Sequence, residues 1–324
     1  MPKKSKLKID HSRRKHKLFE SSLYKLKTKR KLAELLQVTI PELKLASADV
    51  GNYVVFEQEG KSGKARTIQH PKDSQKKIHC RIANLLCRIE FPEYLHSGRK
   101  EHSHITNAKA HTGNKKVLTT DIKSFFPSTT RKMVFNFFYN TMKCSSDVAD
   151  LLASICTYNG HIPTGSQLSM PLAFWANIRM FEQLNNLANK HDVKMTVYVD
   201  DLTFSGDSIN RQFLSVIKKI IVSNGHISHP DKTKLFEKSD VKVITGVAIK
   251  CNDVGITNKQ HKLIYESLEQ WKGCRDEPLI SSFVIPKLLG RLHAHSNIEP
   301  KLKHKVNSIL NYKPVKNPHS KSTD

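Results

Sequence analysis

Two adjacent aspartates, Asp200 and Asp201, lie between two apolar segments that have the composition of β-strands, Met195–Tyr198 and Leu202–Ser205. Neighbouring residues of a strand point to opposite faces of a sheet, so a tight turn is the simplest way to expose both carboxylates. Aspartate is also one of the residues that such turns favour. The pattern predicts a β-hairpin with two acids at its tip, although an ordinary surface hairpin would show the same pattern.

A third aspartate gives the hairpin a chemical interpretation. Asp121 lies near the end of another short apolar strand, predicted over Val117–Ile122, and pairing of distant strands would bring it to Asp200 and Asp201. Three acids cannot share a small site uncompensated, because like charges raise one another's pKa. Mg²⁺ resolves this repulsion, since it binds through a few carboxylates together with substrate phosphates. The trio therefore predicts a catalytic site in which two Mg²⁺ ions, about 4 Å apart, clamp an in-line phosphoryl transfer.

The segments around these acids resemble the two aspartate motifs of reverse transcriptases. They are Asp121-Ile122-Lys123-Ser124-Phe125-Phe126 and Tyr198-Val199-Asp200-Asp201, and the resemblance extends over about residues 50–260. It implies an RNA-directed DNA polymerase with an α+β right-hand fold. In such a fold the fingers precede a palm, built from an antiparallel sheet with helices, and a short helical thumb follows.

The same resemblance implies nucleotide-binding positions at Lys64, Arg66, Ile122 and Phe126. Lys64 and Arg66 would hold the incoming triphosphate, because cations on a hairpin can close over phosphate oxygens. The ring of Phe126 would leave no room for a 2′-hydroxyl and would so select deoxynucleotides. Two solvated surface cations and a core aromatic are the corresponding structural alternatives.

Two further motifs of the family have counterparts here. Asp231-Lys232-Thr233-Lys234 is similar to its later lysine motif, which makes Lys232 a candidate general acid for the leaving pyrophosphate, with an ordinary surface lysine as the alternative. Pro163–Ser169 resembles the loop-to-helix segment that supports template and nucleotide, where small residues allow a close backbone approach. The family usually has Gln-Gly upstream of this segment, whereas Gly160-His161 stands here, which puts the usual glutamine contact in doubt.

Two short motifs are similar to those of bacterial retron reverse transcriptases: Asn107-Ala108-Lys109-Ala110-His111 and Ile244-Thr245-Gly246. The resemblance implies a structured noncoding RNA as template and primer, DNA synthesis from a 2′-hydroxyl, a branched RNA-linked DNA product, and anti-phage defence with a possible effector protein. The candidate RNA-binding residues are Asn107, His111, Thr245 and Gly246, with Lys287 and Arg291 in the thumb. Because Asn107 and His111 are four residues apart, one helix face would carry both. A structural hydrogen-bonding pair and a solvated basic face are the alternatives.

The overall charge agrees with nucleic-acid partners. The net charge of +25 favours a polyanion, because each neutralised phosphate releases a counterion. The resemblance to reverse transcriptases implies deoxynucleoside triphosphates as the small-molecule substrates. The six scattered cysteines form no CxxC pair, which argues against a zinc site and for reduced thiols.

No apolar run reaches the length of a membrane span, and the N-terminal segment lacks the apolar core of a signal peptide. We therefore expect a soluble protein of the bacterial cytoplasm with no membrane partner.

The predicted elements divide the chain into a basic N-terminal arm (1–31), fingers (32–115), a palm (116–257) and a helical thumb with a basic tail (258–324). Strands at 53–56 and 65–68 predict one hairpin, and strands at 241–249 and 254–256 predict another. Helices are predicted on both sides of Pro41, from Pro71 towards Glu90, over 130–142, 145–157, 167–190 and 209–223, and as three segments within 258–312.

Two other functions fit parts of the sequence. One is a different reverse transcriptase class, such as a group II intron enzyme, a diversity-generating enzyme or an abortive-infection polymerase that needs no template. The other is a non-catalytic RNA-binding scaffold, against which the intact trio Asp121, Asp200 and Asp201 argues.

Overall fold

The computed structural model describes residues 9–10, 14–48, 51–60, 63, 65–113 and 115–312, without the side chains of residues 278–280. The chain forms two compact units. Unit 1 combines Met1–Ser103 with Lys116–Leu235, and unit 2 combines His104–Lys115 with Phe236–Asp324.

The helices, in chain order, are α1 (Lys29–Leu36), α2 (Ile40–Ser47), α3 (Asp73–Cys87), α4 (His104–Lys109), α5 (Phe125–Ser128), α6 (Arg131–Asn136), α7 (Ser146–Cys156), α8 (Ser169–Ala176), α9 (Ile178–Lys190), α10 (Arg211–Ser223), α11 (Asn258–Cys274), α12 (Pro278–His295) and α13 (Lys301–Leu310). The strands are β1 (Tyr53–Glu59), β2 (Ala65–Pro71), β3 (Val117–Asp121), β4 (Lys194–Tyr198), β5 (Asp201–Ser205), β6 (Lys234–Phe236), β7 (Lys242–Ile244), β8 (Val247–Lys250) and β9 (Asp253–Ile256). Short 3₁₀ turns at Leu18–Glu20 and Pro230–Lys232, and a π-helical turn at Phe137–Thr141, complete the described elements.

The main sheet of unit 1 brings distant parts of the chain together, in the order β4-β5-β3-β6. β5 is antiparallel to both of its neighbours, and its first residue, Asp201, pairs with Asp121 on β3 and with Tyr198 on β4. The last residue of β3 and the β4–β5 turn therefore lie at the same edge of the sheet. The pairs β4–β5 and β5–β3 are antiparallel, as are β1–β2, β7–β8 and β8–β9, so the predicted α+β class with an antiparallel sheet is confirmed.

Helices bury the apolar face of this sheet. Phe174, Phe181 and Phe204 are fully buried or nearly so, and the rings of Phe174 and Phe181 stack with centroids 5.2 Å apart. Burying each such ring contributes about 1.5–3 kcal/mol relative to exposure, so this core fixes the sheet that carries the aspartates.

The described helix ends have local causes in the sequence. The Thr28 hydroxyl accepts from the Lys31 N–H at the start of α1, and Thr39 and Glu42 form a capping box at the start of α2. Pro41 lies in the first turn of α2, where a missing N–H costs nothing. The predicted pair of helices on either side of this proline is confirmed.

Two predictions about helix boundaries were wrong. Pro71 ends strand β2, and the helix begins only at Asp73. The predicted helix 167–190 is interrupted at Asn177, whose side chain donates to Thr129 Oγ1 (3.1 Å) and contacts His226 Nε2 through its oxygen (2.7 Å). At both places a contact with a distant residue overrides the helical spacing, since Pro71 pairs with Tyr53 on β1. The helix predicted over 130–142 is present as α6 and the π-helical turn that follows it.

Unit 2 contains the antiparallel sheet β7-β8-β9 and helices α4 and α11–α13. The predicted strand over 241–249 was wrong, because Thr245 and Gly246 adopt positive φ (46° and 82°) and turn the chain between β7 and β8. The three helices predicted within 258–312 are confirmed as α11, α12 and α13.

Within the described residues, no helix combines the length and apolar character needed to cross a membrane. All six cysteines are free thiols, as the sequence predicts.

His79 on α3 is a buried titratable group in unit 1. Its Nε2 lies 2.8 Å from the Ile155 carbonyl oxygen, and its Nδ1 lies 2.7 Å from Ser166 Oγ. The carbonyl can only accept, so the neutral ring donates through Nε2 and accepts the Ser166 hydroxyl through Nδ1. Burial lowers the pKa of His79 to about 4, against the opposing effect of the Ile155 carbonyl.

This shift predicts an acid-sensitive fold. An unfolded histidine binds its proton near pH 6.5, whereas folded His79 does so only near pH 4. The free energy of unfolding should therefore fall as the pH is lowered from 6.5 to 4, by up to about 1.4 kcal/mol per pH unit from this group. Urea unfolding at stepped pH should show a shallower slope for His79→Gln than for the wild type. Exposed His70 provides the control: His70→Gln should keep the wild-type slope, and an unchanged slope in His79→Gln would contradict the assignment.

Candidate active site

Asp121, Asp200 and Asp201 meet at the sheet edge where β3 ends and β5 begins. Each offers a carboxylate oxygen, and these oxygens lie within 4.8 Å of one another. Asp121 is buried, while Asp200 and Asp201 are half-buried. Within the described residues this is the one group of three or more acid, histidine or cysteine ligands so arranged. The structure thus brings together the three acids that the sequence analysis selected.

A two-residue turn, Val199-Asp200, connects β4 to β5 and presents the acids. Val199 has φ of 60°, in the left-handed region that β-branched residues rarely occupy. Two hydrogen bonds hold the turn: the Val199 N–H donates to Ser97 Oγ (2.9 Å), and the Ile122 N–H donates to the Asp200 carbonyl oxygen (3.0 Å). The second bond joins the two aspartate segments directly.

Burial and neighbouring carboxylate charges raise the proton affinity of Asp200 and Asp201. Burial, followed by the charges of Asp200 and Asp121, raises the pKa of Asp201 to about 7. Burial and the charge of Asp121 also raise the pKa of Asp200, although Lys232 and Arg66 oppose that rise. A site that disfavours its own negative charge in this way is suited to a cation.

Lys232 already supplies one positive charge. Its ammonium donates to Asp121 Oδ2 at 2.6 Å, from the 3₁₀ turn that precedes β6. Burial alone would lower the pKa of Lys232, but this hydrogen bond and the charges of all three acids outweigh it and raise the pKa. One ammonium cannot offset three carboxylates. The remaining oxygen donors fit a hard divalent cation, which prefers such ligands.

The predicted nucleotide-binding residues take different positions. Arg66 is exposed on β2, and its charge acts on Asp200. Phe126 is half-buried, with its ring centroid 5.9 Å from that of Phe125. The Ile122 side chain is fully buried, so its contribution to the site is the backbone bond to Asp200. Lys64 lies outside the described residues.

The Pro163–Ser169 segment packs against β2. Thr164 Oγ1 donates to the Thr67 carbonyl oxygen (2.8 Å), and the Thr164 N–H donates to Gln69 Oε1 (3.2 Å). A Cβ on Gly165 would lie 2.7 Å from the Gln69 carbonyl oxygen, closer than side chains permit. Glycine is therefore needed here for contact with the hairpin strand, a reason that the motif alone does not reveal.

The retron-like motif residues lie in unit 2. Asn107 Nδ2 contacts Thr245 Oγ1 at 3.5 Å, and Thr245 Oγ1 donates to the His104 carbonyl oxygen at 2.9 Å. Asn107 and His111 are buried, while Gly246 is exposed. The expectation that Asn107 and His111 share a helix face was wrong, because α4 ends at Lys109. This geometry ties α4 to the β7–β8 turn, and direct RNA contact by these residues stays a prediction.

The two thumb residues also differ. Lys287 is exposed on α12. Arg291 is half-buried and donates to the Leu263 carbonyl oxygen (2.8 Å) and to Ser267 Oγ, both on α11. Arg291 therefore joins two helices of unit 2. Of the two cations, Lys287 is the more exposed and hence the more accessible to a ligand.

Ser97, which the sequence did not single out, accepts a hydrogen bond from the Val199-Asp200 turn. No local pattern marks it, since a serine in a loop has many possible partners. The sequence likewise did not single out the buried network of His79 and Ser166, which fixes the Pro163–Ser169 segment on α3.

Comparison with known proteins agrees with this geometry. The family model for reverse transcriptase (RNA-dependent DNA polymerase) matches residues 58–272, more than half of the chain. The Retron Se72 reverse transcriptase of Salmonella heidelberg (strain 579083-10) is 35% identical over 161 residues, covering 48% of this chain and 42% of its own. The Retron Ec86 reverse transcriptase of Escherichia coli is 27% identical over 211 residues, covering 64% and 66%. The chain thus spans less than two thirds of either relative.

Among solved structures, the foamy viral protease-reverse transcriptase in complex with ds DNA is 15% identical, with a TM-score of 0.48. The match covers 94% of this chain and 48% of that one. The predicted resemblance to retron reverse transcriptases is confirmed by the curated relatives. With the family model matching across β3, β4 and β5 and their aspartates, the chain belongs to the reverse transcriptase (RNA-dependent DNA polymerase) family.

Proposed function

We propose that this chain is a retron-type RNA-directed DNA polymerase that uses Asp121, Asp200 and Asp201 as its catalytic carboxylates. The observation that carries the proposal is the meeting of these three acids at one sheet edge, with their oxygens within 4.8 Å, in a chain of the reverse transcriptase family. A non-catalytic scaffold would have no use for three mutually repelling charges held at half-buried or buried positions.

The three carboxylates would hold two Mg²⁺ ions, which when bound lower the charge of the reacting phosphate and activate the attacking hydroxyl. Lys232 lies beside Asp121 and keeps its proton, so it can act as a general acid towards the leaving pyrophosphate. Arg66 and Lys64 would bind the triphosphate, a role supported by the exposure of Arg66 on the β1–β2 hairpin and by the effect of its charge on Asp200. Phe126, half-buried beside Phe125, would exclude a 2′-hydroxyl from the sugar site.

The nucleic-acid partner follows from charge and family. A net charge of +25 supports binding of a polyanion, and the matched relatives are named as retron reverse transcriptases. We infer that the template and primer belong to a structured noncoding RNA, and that the product is a branched RNA-linked DNA. Anti-phage defence with an effector protein, and action in the bacterial cytoplasm, extend the same proposal.

The functional division that we propose is an arm (1–31), fingers (32–115), a palm (116–257) and a thumb with a tail (258–324). It is supported by the order of the elements: the β1–β2 hairpin comes first, the strands that carry the aspartates follow, and three helices come last. Lys287 is the exposed thumb cation that we assign to RNA contact, with Asn107, His111, Thr245 and Gly246 supporting the surface on which that RNA lies.

The activity prediction concerns Asp200 and Asp201. Replacing both with Asn keeps their shape and removes two metal-binding charges, so DNA synthesis on a primed RNA template should fall at least about 100-fold. Binding of the same RNA, measured by filter retention, should stay within about twofold of the wild type, because phosphate contacts dominate affinity. Exposed Asp192, in the loop before β4, provides the matched control, and Asp192→Asn should leave synthesis unchanged. Unchanged synthesis in the double variant would exclude this site, and extension without any template would indicate a template-independent polymerase.

A second prediction concerns cation binding. Without metal, Asp201→Asn removes one of three like charges and should raise Tm at pH 8 by about 3 °C. Addition of Mg²⁺ should raise the Tm of the wild type and of Asp192→Asn by mass action, and should raise that of Asp201→Asn much less. Differential scanning fluorimetry with EDTA and with Mg²⁺ measures both effects. Equal responses of all three proteins to Mg²⁺ would contradict cation binding by Asp201.

A further inference from the structure

We propose that Ser97 is a positioning residue of the active site, whose hydroxyl holds the strained turn that carries Asp200 and Asp201. The inference rests on the proposed function for its effect on synthesis, and on geometry alone for its effect on the turn. Ser97 is 3% exposed, and its Oγ accepts the Val199 N–H at 2.9 Å. A hydroxyl this deeply buried acts through Val199.

The hydrogen bond between Val199 and Ser97 lies at the point where a ladder of backbone hydrogen bonds ends. Leu95 pairs in parallel with Val197, and the two bonds of that bridge are present: Val197 N–H to the Tyr94 carbonyl (2.8 Å) and His96 N–H to the Val197 carbonyl (2.9 Å). In a continued parallel ladder, the Val199 N–H would bond to the carbonyl of His96. The chain turns at Val199 instead. The Ser97 hydroxyl accepts the Val199 N–H in place of the His96 carbonyl.

Val199 needs such a contact because its backbone is strained. A β-branched residue with φ of 60° places its Cβ against its own backbone, so other conformations of the turn compete with this one. A hydrogen bond from outside the turn favours the strained conformation over its competitors. The two aspartates that follow Val199 then keep one orientation relative to Asp121.

Ser97 is itself held firmly. Arg99 Nη1 donates to the carbonyl oxygens of Pro92 (2.9 Å) and Leu95 (3.0 Å), closing the loop that precedes it. Gly98, with φ of 64°, packs so closely on Met170 that a Cβ there would lie 2.6 Å from Met170 Sδ. Two hydrogen bonds from Arg99 thus hold the Tyr94–Arg99 segment, from which the Ser97 hydroxyl accepts the N–H of the turn.

The consequence is specific to the chemical step. Loss of the hydroxyl keeps both aspartates but leaves their orientation less fixed. Small displacements of catalytic groups strongly reduce the rate of the chemical step. Ser97→Ala should lower kcat about tenfold or more and raise the Mg²⁺ concentration for half-maximal synthesis. It should change KM for the nucleotide and affinity for RNA less than about twofold, because other residues bind those ligands.

The experiment compares Ser97→Ala with Ser97→Thr, which keeps the hydroxyl, and with Ser97→Cys, which is close in size but a poor acceptor. Ser97→Thr should keep most of the wild-type kcat, whereas Ser97→Cys should show the same loss as Ser97→Ala. Ser21 provides the matched control: it is also buried, its Oγ also accepts a backbone N–H (Leu23, 3.3 Å), and it lies outside the aspartate cluster. Ser21→Ala should keep kcat and the Mg²⁺ requirement even where it lowers Tm.

A double-mutant cycle with Val199→Gly tests the strain argument, because glycine adopts positive φ without cost. The loss caused by Ser97→Ala should shrink from about tenfold to less than about threefold in the Val199→Gly background. Equal losses in both backgrounds would overturn the claim that Ser97 acts on the strained turn.

Hydrogen exchange of a peptide spanning Val197–Thr203 gives a readout that needs no activity. Exchange in the metal-free protein should be faster in Ser97→Ala and Ser97→Cys than in the wild type, and near the wild-type rate in Ser97→Thr. If the wild type makes no DNA, the proposed function fails while this measurement still decides the role of Ser97. Unchanged exchange in Ser97→Ala would overturn the inference even if synthesis is intact.

Discussion

The repulsion among three carboxylates at one sheet edge is the constraint on which the rest of this structure depends. Asp121 and Asp201 are register partners on adjacent antiparallel strands, and Asp200 is the residue before Asp201 in the turn. Hydrogen-bonded pairing with β3 and β4, and burial of Phe174, Phe181 and Phe204 beneath the sheet, fix these positions. The fold thus holds charges together that would separate in a flexible chain, and burial together with the charges of Asp200 and Asp121 raises the pKa of Asp201.

That constraint explains why backbone strain is concentrated beside the acids. An unstrained strand would point Asp200 and Asp201 to opposite faces, so the chain must turn between β4 and β5. The turn uses Val199 at positive φ, although glycine or asparagine would adopt that conformation at lower cost. The strained conformation persists because Ser97 and the Ile122 N–H bind the turn from two sides. Such over-determined strain is typical of sites where orientation matters more than local stability.

The sequence predicted the parts of the fold that local patterns determine. The Asp200-Asp201 doublet between apolar strands, the break at Pro41 and the three C-terminal helices all follow from spacing and turn chemistry. The sequence pattern failed where a contact with a distant residue decides the local structure. Asn177 interrupts a helix through its contacts with Thr129 and His226. The turn at Thr245-Gly246 divides an apolar run into two strands. The trio could be proposed from three acids near strand ends, but Ser97 could not, because its partner lies about a hundred residues away.

The charge distribution connects the site to its partners. The excess positive charge of the chain attracts a polyanion, whereas the aspartates at the sheet edge repel one. Under the proposed function, a phosphate would approach these acids only with cations between them, so cation and nucleotide would stabilise each other's binding. Lys232, with its ammonium on Asp121, offsets one of the three charges from within the chain, and Arg66 acts on Asp200 from the hairpin. Under the proposed function, the mutual repulsion of these acids would favour a phosphate that arrives together with its metal.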